Sequence, residues 1–305
     1  MQTTLKSNVT FSGVGLHTGV PSKLVLRPAP AHTGIVFRRV DVYGKNRVAA
    51  VWHNVVVSRL NTRLTNSAGL TVSTIEHLMA ALSGTGVHNV IVDIDGPEVP
   101  IMDGSAVDFV RGIVDVGLAS LVAPLYAIEV LSTVTVKVGP AMAMLSPAVS
   151  LQIDFDIEFA DEAIGHQAKI LNMANGAFVR ELCDSRTFCR SSDVDMMRAN
   201  GLALGGTLEN AVVVDGDMVL SPGGLRHADE AVRHKMLDAL GDLYTAGAPI
   251  LGHYTGVRAG HAMTNSLLKA LFAKSDAWRW KRCDAKIAAC LPGVGVSKAD
   301  LFAVV

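Results

Sequence analysis

The chain has 305 residues, half of them hydrophobic and 18% charged, with a formal net charge of -1. That length favours two domains, the composition supports buried cores and excludes intrinsic disorder, and the near-neutral charge leaves no broad basic field for nucleic acid. The four cysteines, Cys183, Cys189, Cys283 and Cys290, show no C-x-x-C spacing; this argues against a zinc knuckle or a disulfide framework and fits a reduced, cytoplasmic compartment.

The first residues lack the charged-then-apolar design of a signal peptide, and no apolar run of about 18 residues predicts a membrane span. Alternation over residues 23–27 predicts a strand that Pro28 and Pro30 stop, and 35–37 is a second strand. The pair Arg38 and Arg39 reads as a solvated strand end. A helix is expected from Ser73 through Leu82, with its stop at Gly84 and Gly86. Residues 89–94 read as a strand, broken by Gly96 and Pro97. Asp103 and Ser105 offer caps for a helix over 106–116, whose Val107, Val110, Ile113 and Val114 share one face. Pro124 marks the linker, giving domains 1–123 and 124–305. Beyond it, strands are expected over 127–138, 141–145, 151–159 and 250–257, and helices over 228–244 and 261–273. Each half therefore reads as α+β with a similar plan, although no repeat in the sequence establishes a duplication.

Several residues in this layout can carry chemistry. His234, Asp238 and Asp242 fall at i, i+4 and i+8, one polar stripe on the expected helix. An imidazole and a carboxylate one turn apart can hold a single metal ion; a solvated His–Asp face would look the same. Glu76 and His77, adjacent on a first helical turn, offer a base and a metal ligand. Ser73 and Glu76 also have the spacing of a capping box. His261 opens a helix, whose dipole lowers its pKa, while a carboxylate such as Asp242 would oppose that shift. His17 lies in a glycine-rich turn without a P-loop lysine. His32, His53, His88, His166, His227 and His253 have no identifiable partner and are assigned to surface or core.

Together these segments resemble one family, the UDP-3-O-acyl-N-acetylglucosamine deacetylases, zinc amidases of lipid A biosynthesis. The resemblance runs from residues 13–19 (GVGLHTG) to about Trp278. It rests on 73–78 (STIEHL), 98–105 (EVPIMDGS), 185–188 (SRTF), 201–206 (GLALGG), 233–242 (RHKMLDALGD) and 260–261 (GH), in order. It implies an α+β fold of two similar domains, each a layered sheet/helix sandwich, with the active site at their interface. It implies His77, His234 and Asp238 as ligands of Zn2+, with Fe2+ the alternative. It implies Glu76 as general base, His261 as assisting acid, Asp242 as the partner of that histidine and Thr187 as an oxyanion donor. Lys235, Arg258 and Phe159 fall at the nucleotide–sugar end, and Leu16, Phe188, Val194, Ala203 and Val213 near the acyl passage. Arg190 and Ser191 stand where bulkier apolar side chains are expected. The implied substrate is a UDP-acyl-N-acetylglucosamine, lipid-like enough to be handed on at the inner membrane surface. A monomer is expected, because no distinct assembly segment is visible.

Overall fold

The structure is a computed structural model, and it describes residues 1–58 and 60–303. Period-two alternation builds its two large sheets. In Pro21–Pro28, Ser22, Leu24 and Leu26 are buried while Lys23 stands exposed on the other face. In Gln152–Glu158, Ile153, Phe155 and Ile157 are buried between three acidic residues that face outward.

The first sheet contains β1 (Val9–Val14), β2 (Pro21–Pro28), β3 (Ile35–Arg39), β4 (Arg47–Ala49) and β5 (Val90–Ile94), in the order β1-β2-β5-β3-β4. The second contains β6 (Val134–Val138), β7 (Ala141–Ser146), β8 (Gln152–Glu158), β9 (His166–Asn172) and β10 (His253–Val257), in the order β6-β7-β10-β8-β9. Both sheets are antiparallel except at one pair, β3 with β5 and β8 with β10. Order and direction are thus identical in the two halves, a repeat that the sequence does not display.

The helices repeat as well. Helix α1 (Glu76–Thr85) leads into β5 and α2 (Val107–Val116) follows it; α3 (Glu230–Tyr244) precedes β10 and α4 (His261–Phe272) follows it. Every residue of α1 is buried, as are most of α3, so both helices lie inside the molecule and not on its surface. They pack directly on each other. A Cβ at Gly241 would sit 2.0 Å from the Glu76 carbonyl oxygen, so glycine permits this close approach. One contiguous core runs through both halves, and the fold is α+β with two similar sheet-and-helix layers.

Each half also carries an insertion between its fourth sheet strand and its first inner helix. In the first half this is a small sheet of Val55–Val56, Arg63–Thr65 and Thr71–Val72. In the second it includes Phe188–Arg190, the helix Ser191–Ala199, Val212–Asp215 and Met218–Val219.

Three local expectations are corrected. Residues 127–138 are not one strand: Tyr126–Val130 pairs with Ile250–Leu251 and Trp278–Arg282 in a separate sheet. It ends where the N–H groups of Leu131 and Ser132 turn to the Ala277 carbonyl. The expected strand over 250–257 divides accordingly. Helix α1 begins at Glu76 without a capping box, because Ser73 Oγ donates to the Pro97 carbonyl and Glu76 Oε2 accepts from the Thr62 N–H. Among the described residues, no helix is long and apolar enough to cross a membrane.

Candidate active site

The site forms where the first turn of α1 meets α3. His77, His234 and Asp238 are all buried and can offer ligand atoms lying within 4.8 Å of one another. Asp238 Oδ1 stands 3.4 Å from His234 Nε2 and 3.6 Å from His77 Nε2. This oxygen is buried and has no hydrogen-bond partner. A buried carboxylate oxygen left unpaired is costly, and a cation between the three groups removes that cost.

His234 and Asp238 have the protonation a metal requires. The Ser185 carbonyl can only accept, so His234 Nδ1 carries the hydrogen that bonds it at 3.0 Å and Nε2 keeps its lone pair. Burial pushes His234 down to about 4, which keeps the ring neutral. Burial would raise Asp238, but His234, Lys235 and His261 outweigh it and hold its carboxyl well below the usual range. Lys235 Nζ donates to Asp238 Oδ2 at 2.7 Å.

Two acid–base groups flank this triad. Glu76, on the turn that carries His77, is raised to about 6, because burial outweighs the neighbouring histidines. Burial also opposes charge on His261, but Asp242, Asp238 and Glu76 prevail and lift it to about 9. His261 Nε2 lies 3.8 Å from Glu76 Oε1, and its Nδ1 donates to Asp242 Oδ2 at 2.9 Å. The carboxylate therefore overcomes the helix-dipole effect expected for a histidine at a helix start.

A cleft of about 830 Å³ opens beside these residues, and His234, Lys235, Asp238 and His261 form part of its wall. A second cleft of about 520 Å³ lies elsewhere, near Gln2, Asn89 and Trp280. Its His32 and Asn89 are each hydrogen-bonded to Gln2, which occupies their polar groups.

The model of the UDP-3-O-acyl N-acetylglycosamine deacetylase family matches residues 2–273 of this chain. The chain belongs to that family. It is 52% identical over 279 residues to a UDP-3-O-acyl-N-acetylglucosamine deacetylase of Phenylobacterium zucineum, covering 91% of this chain and 95% of the relative. It is 42% identical to the enzyme of that name from Shewanella oneidensis, covering 96% and 97%. A third, from Shewanella frigidimarina, is 41% identical with the same coverage.

In this deacetylase-family chain the cleft gathers most of the residues singled out from the sequence. Leu16, Phe159, Thr187, Phe188, Val194, Ala203 and Val213 line it with Lys235. Arg258 does not. Its side chain is exposed and ion-paired with Glu158 at the end of β8, and its backbone has φ of 48°. Arg190 lines the cleft with its guanidinium turned to Asp161, at 2.5 Å, and Ser191 lines the cleft beside it. Four of the unassigned histidines do have partners: His32 meets Gln2 at 3.1 Å, His88 meets Thr3 Oγ1 at 2.7 Å, His166 meets Asp156 at 2.8 Å and His227 meets Asp184 at 2.9 Å.

Several groups around the site carry no periodic signal and escape sequence reasoning. Buried Glu98 accepts from His17 N, Thr18 N, Thr18 Oγ1 and Thr74 Oγ1, binding the glycine-rich turn to the start of α1. A Cβ at Gly15 would lie 2.3 Å from Glu98 Oε2, so that turn needs glycine there. His17 reaches the cleft wall, where its Nε2 is buried without a partner. The EVPIMDGS motif was the one signal that could have pointed to Glu98. Thr62 and Asn265 had none.

Proposed function

We propose that this chain is a zinc-dependent deacetylase that hydrolyses the acetamide of UDP-3-O-(3-hydroxyacyl)-N-acetylglucosamine to UDP-3-O-acyl-glucosamine and acetate, the committed step of lipid A biosynthesis. The observation that carries this reading is the unpaired Asp238 Oδ1 facing two buried imidazoles beside a large cleft. Two neutral histidines and one carboxylate suit zinc, with iron(II) able to occupy the same donors. A divalent ion there supplies Lewis acidity and lowers the pKa of water.

The protein groups do the rest. Glu76, ionised, accepts a proton from the attacking water. The amide carbonyl becomes a tetrahedral oxyanion, and the Thr187 hydroxyl at the cleft wall donates to it. His261 as imidazolium, held by Asp242, gives its proton to the departing amine nitrogen. The C–N bond breaks, leaving acetate and the free amine. Phe159 and Lys235 lie toward the polar nucleotide–sugar end. Leu16, Phe188, Val194, Ala203 and Val213 offer apolar contact for the acyl chain. Arg258, outside the cleft lining and paired with Glu158, is assigned to the nucleotide end by the family resemblance alone. Domains 1–123 and 124–305 meet at this site.

Mass spectrometry of UDP-acyl-N-acetylglucosamine incubated with zinc-loaded protein tests the reading. Loss of one acetyl group is expected; an unchanged substrate mass would refute it.

A further inference from the structure

We propose that Thr62 is a positioning residue that sets the general base and the general acid in register; this rests on the deacetylase reading above. Thr62 sits in the first-half insertion, immediately before Arg63–Thr65, and is 1% exposed. Its backbone N–H donates to Glu76 Oε2 at 3.0 Å. Its hydroxyl donates to Asp242 Oδ1 at 2.5 Å, across 180 residues of chain. The direction of that second bond is determined by its neighbours. The Asn265 amide Nδ2 donates to Thr62 Oγ1 at 3.1 Å, and the Asp242 carboxylate can only accept. The hydroxyl hydrogen therefore goes to Asp242.

The consequence is mechanical. Asp242 has one oxygen on Thr62 and the other on His261 Nδ1. Glu76 has one oxygen on the Thr62 N–H, while its other, Oε1, faces His261 Nε2 at 3.8 Å. One buried residue thus holds the far oxygens of both carboxylates, and their near oxygens point at the same imidazole. Asn265, one turn along α4 from His261, completes the link to the helix that bears the acid. Such partners of reacting groups are commonly worth ~10–100-fold in activity.

Three substitutions separate this role from packing. Thr62→Val keeps the shape and loses the hydroxyl. Thr62→Ser keeps the hydroxyl and loses the methyl, and Thr62→Ala loses both. The expected result, on zinc-loaded full-length protein, is a kcat lowered ~10–100-fold in the Val and Ala variants. KM and metal content should stay near wild type, and the Ser variant should keep most of the wild-type kcat. The downfield proton resonance of His261 Nδ1–H should move in the Val variant and stay in place in the Ser variant. In an Asp242→Asn background, Thr62→Val should add little, because its effect runs through Asp242. A Val variant with wild-type kcat, or a Ser variant as impaired as the Val variant, overturns the proposal. If Thr62→Val does not fold, the Ala and Ser pair decides the matter by the same ranking. Wild-type protein that releases no acetate would instead refute the functional reading itself.

Discussion

Glu76, His261, Asp238 and Asp242 share one buried space, and their charges determine one another. In the proposed mechanism Glu76 acts as a base when ionised, so activity should rise as pH climbs through its pKa, about 6 before any cation is bound. A cation on the neighbouring ligands moves this limb to lower pH. In the same proposal His261 acts as an acid when protonated, so activity should fall as pH passes about 9. The kcat/KM profile should be bell-shaped, and Asp242→Asn should move its alkaline limb to lower pH. A profile flat from acid to alkali would contradict both roles. Glu76→Gln should retain bound metal and lose turnover by ~100-fold or more, measured by metal analysis and acetate release on the same sample. At this scale the sequence was informative wherever reacting residues lay close together. His234 and Asp238 are one turn apart, and Glu76 adjoins His77. It was silent on Thr62, because a lone threonine before a short strand has no spacing to read.

Helices α1 and α3 bring the proposed metal ligands together by crossing, and the crossing depends on a residue without a side chain. Gly241→Ala would drive its new methyl into the Glu76 backbone and push the helices apart. A loss of ~1–3 kcal/mol is expected in urea unfolding, with weaker metal binding because His77 would move away from His234 and Asp238. Unchanged stability and metal affinity would show that the helices can slide to absorb the methyl. The helix positions were legible from 3.6-residue periodicity and from Gly84 and Gly86 at the end of α1. The polar stripe read equally well as a solvated surface. Burial of α3 against α1 removes that reading, since Asp238 and Asp242 are both buried and not on an outer face. Capping failed as a guide at Ser73, where the Pro97 carbonyl and the Thr62 N–H took both expected partners.

At the scale of the whole molecule, two halves of identical strand order face each other through their inner helices. Each half sends its insertion toward the cleft: Thr62 comes from the first, Thr187 and the Ser191–Ala199 helix from the second. The first half supplies His77 and the second His234 and Asp238, so a bound ion ties the halves together. Chelation should therefore lower the unfolding free energy, by ~3 kcal/mol relative to protein with free metal at a hundredfold excess over its Kd. Thermal melting of apo and reloaded protein checks this, and equal melting points would mean that the interface holds without metal. By itself the sequence determined the α+β class, the helix positions, the family and the candidate ligand set, because those depend on short spacings and local periodicity. Tertiary structure alone decided the internal repeat, the unpaired oxygen of Asp238, the outward turn of Arg258 and the Thr62 bridge. Each of these depends on hydrogen bonding or burial between distant segments, which leaves no period in the chain.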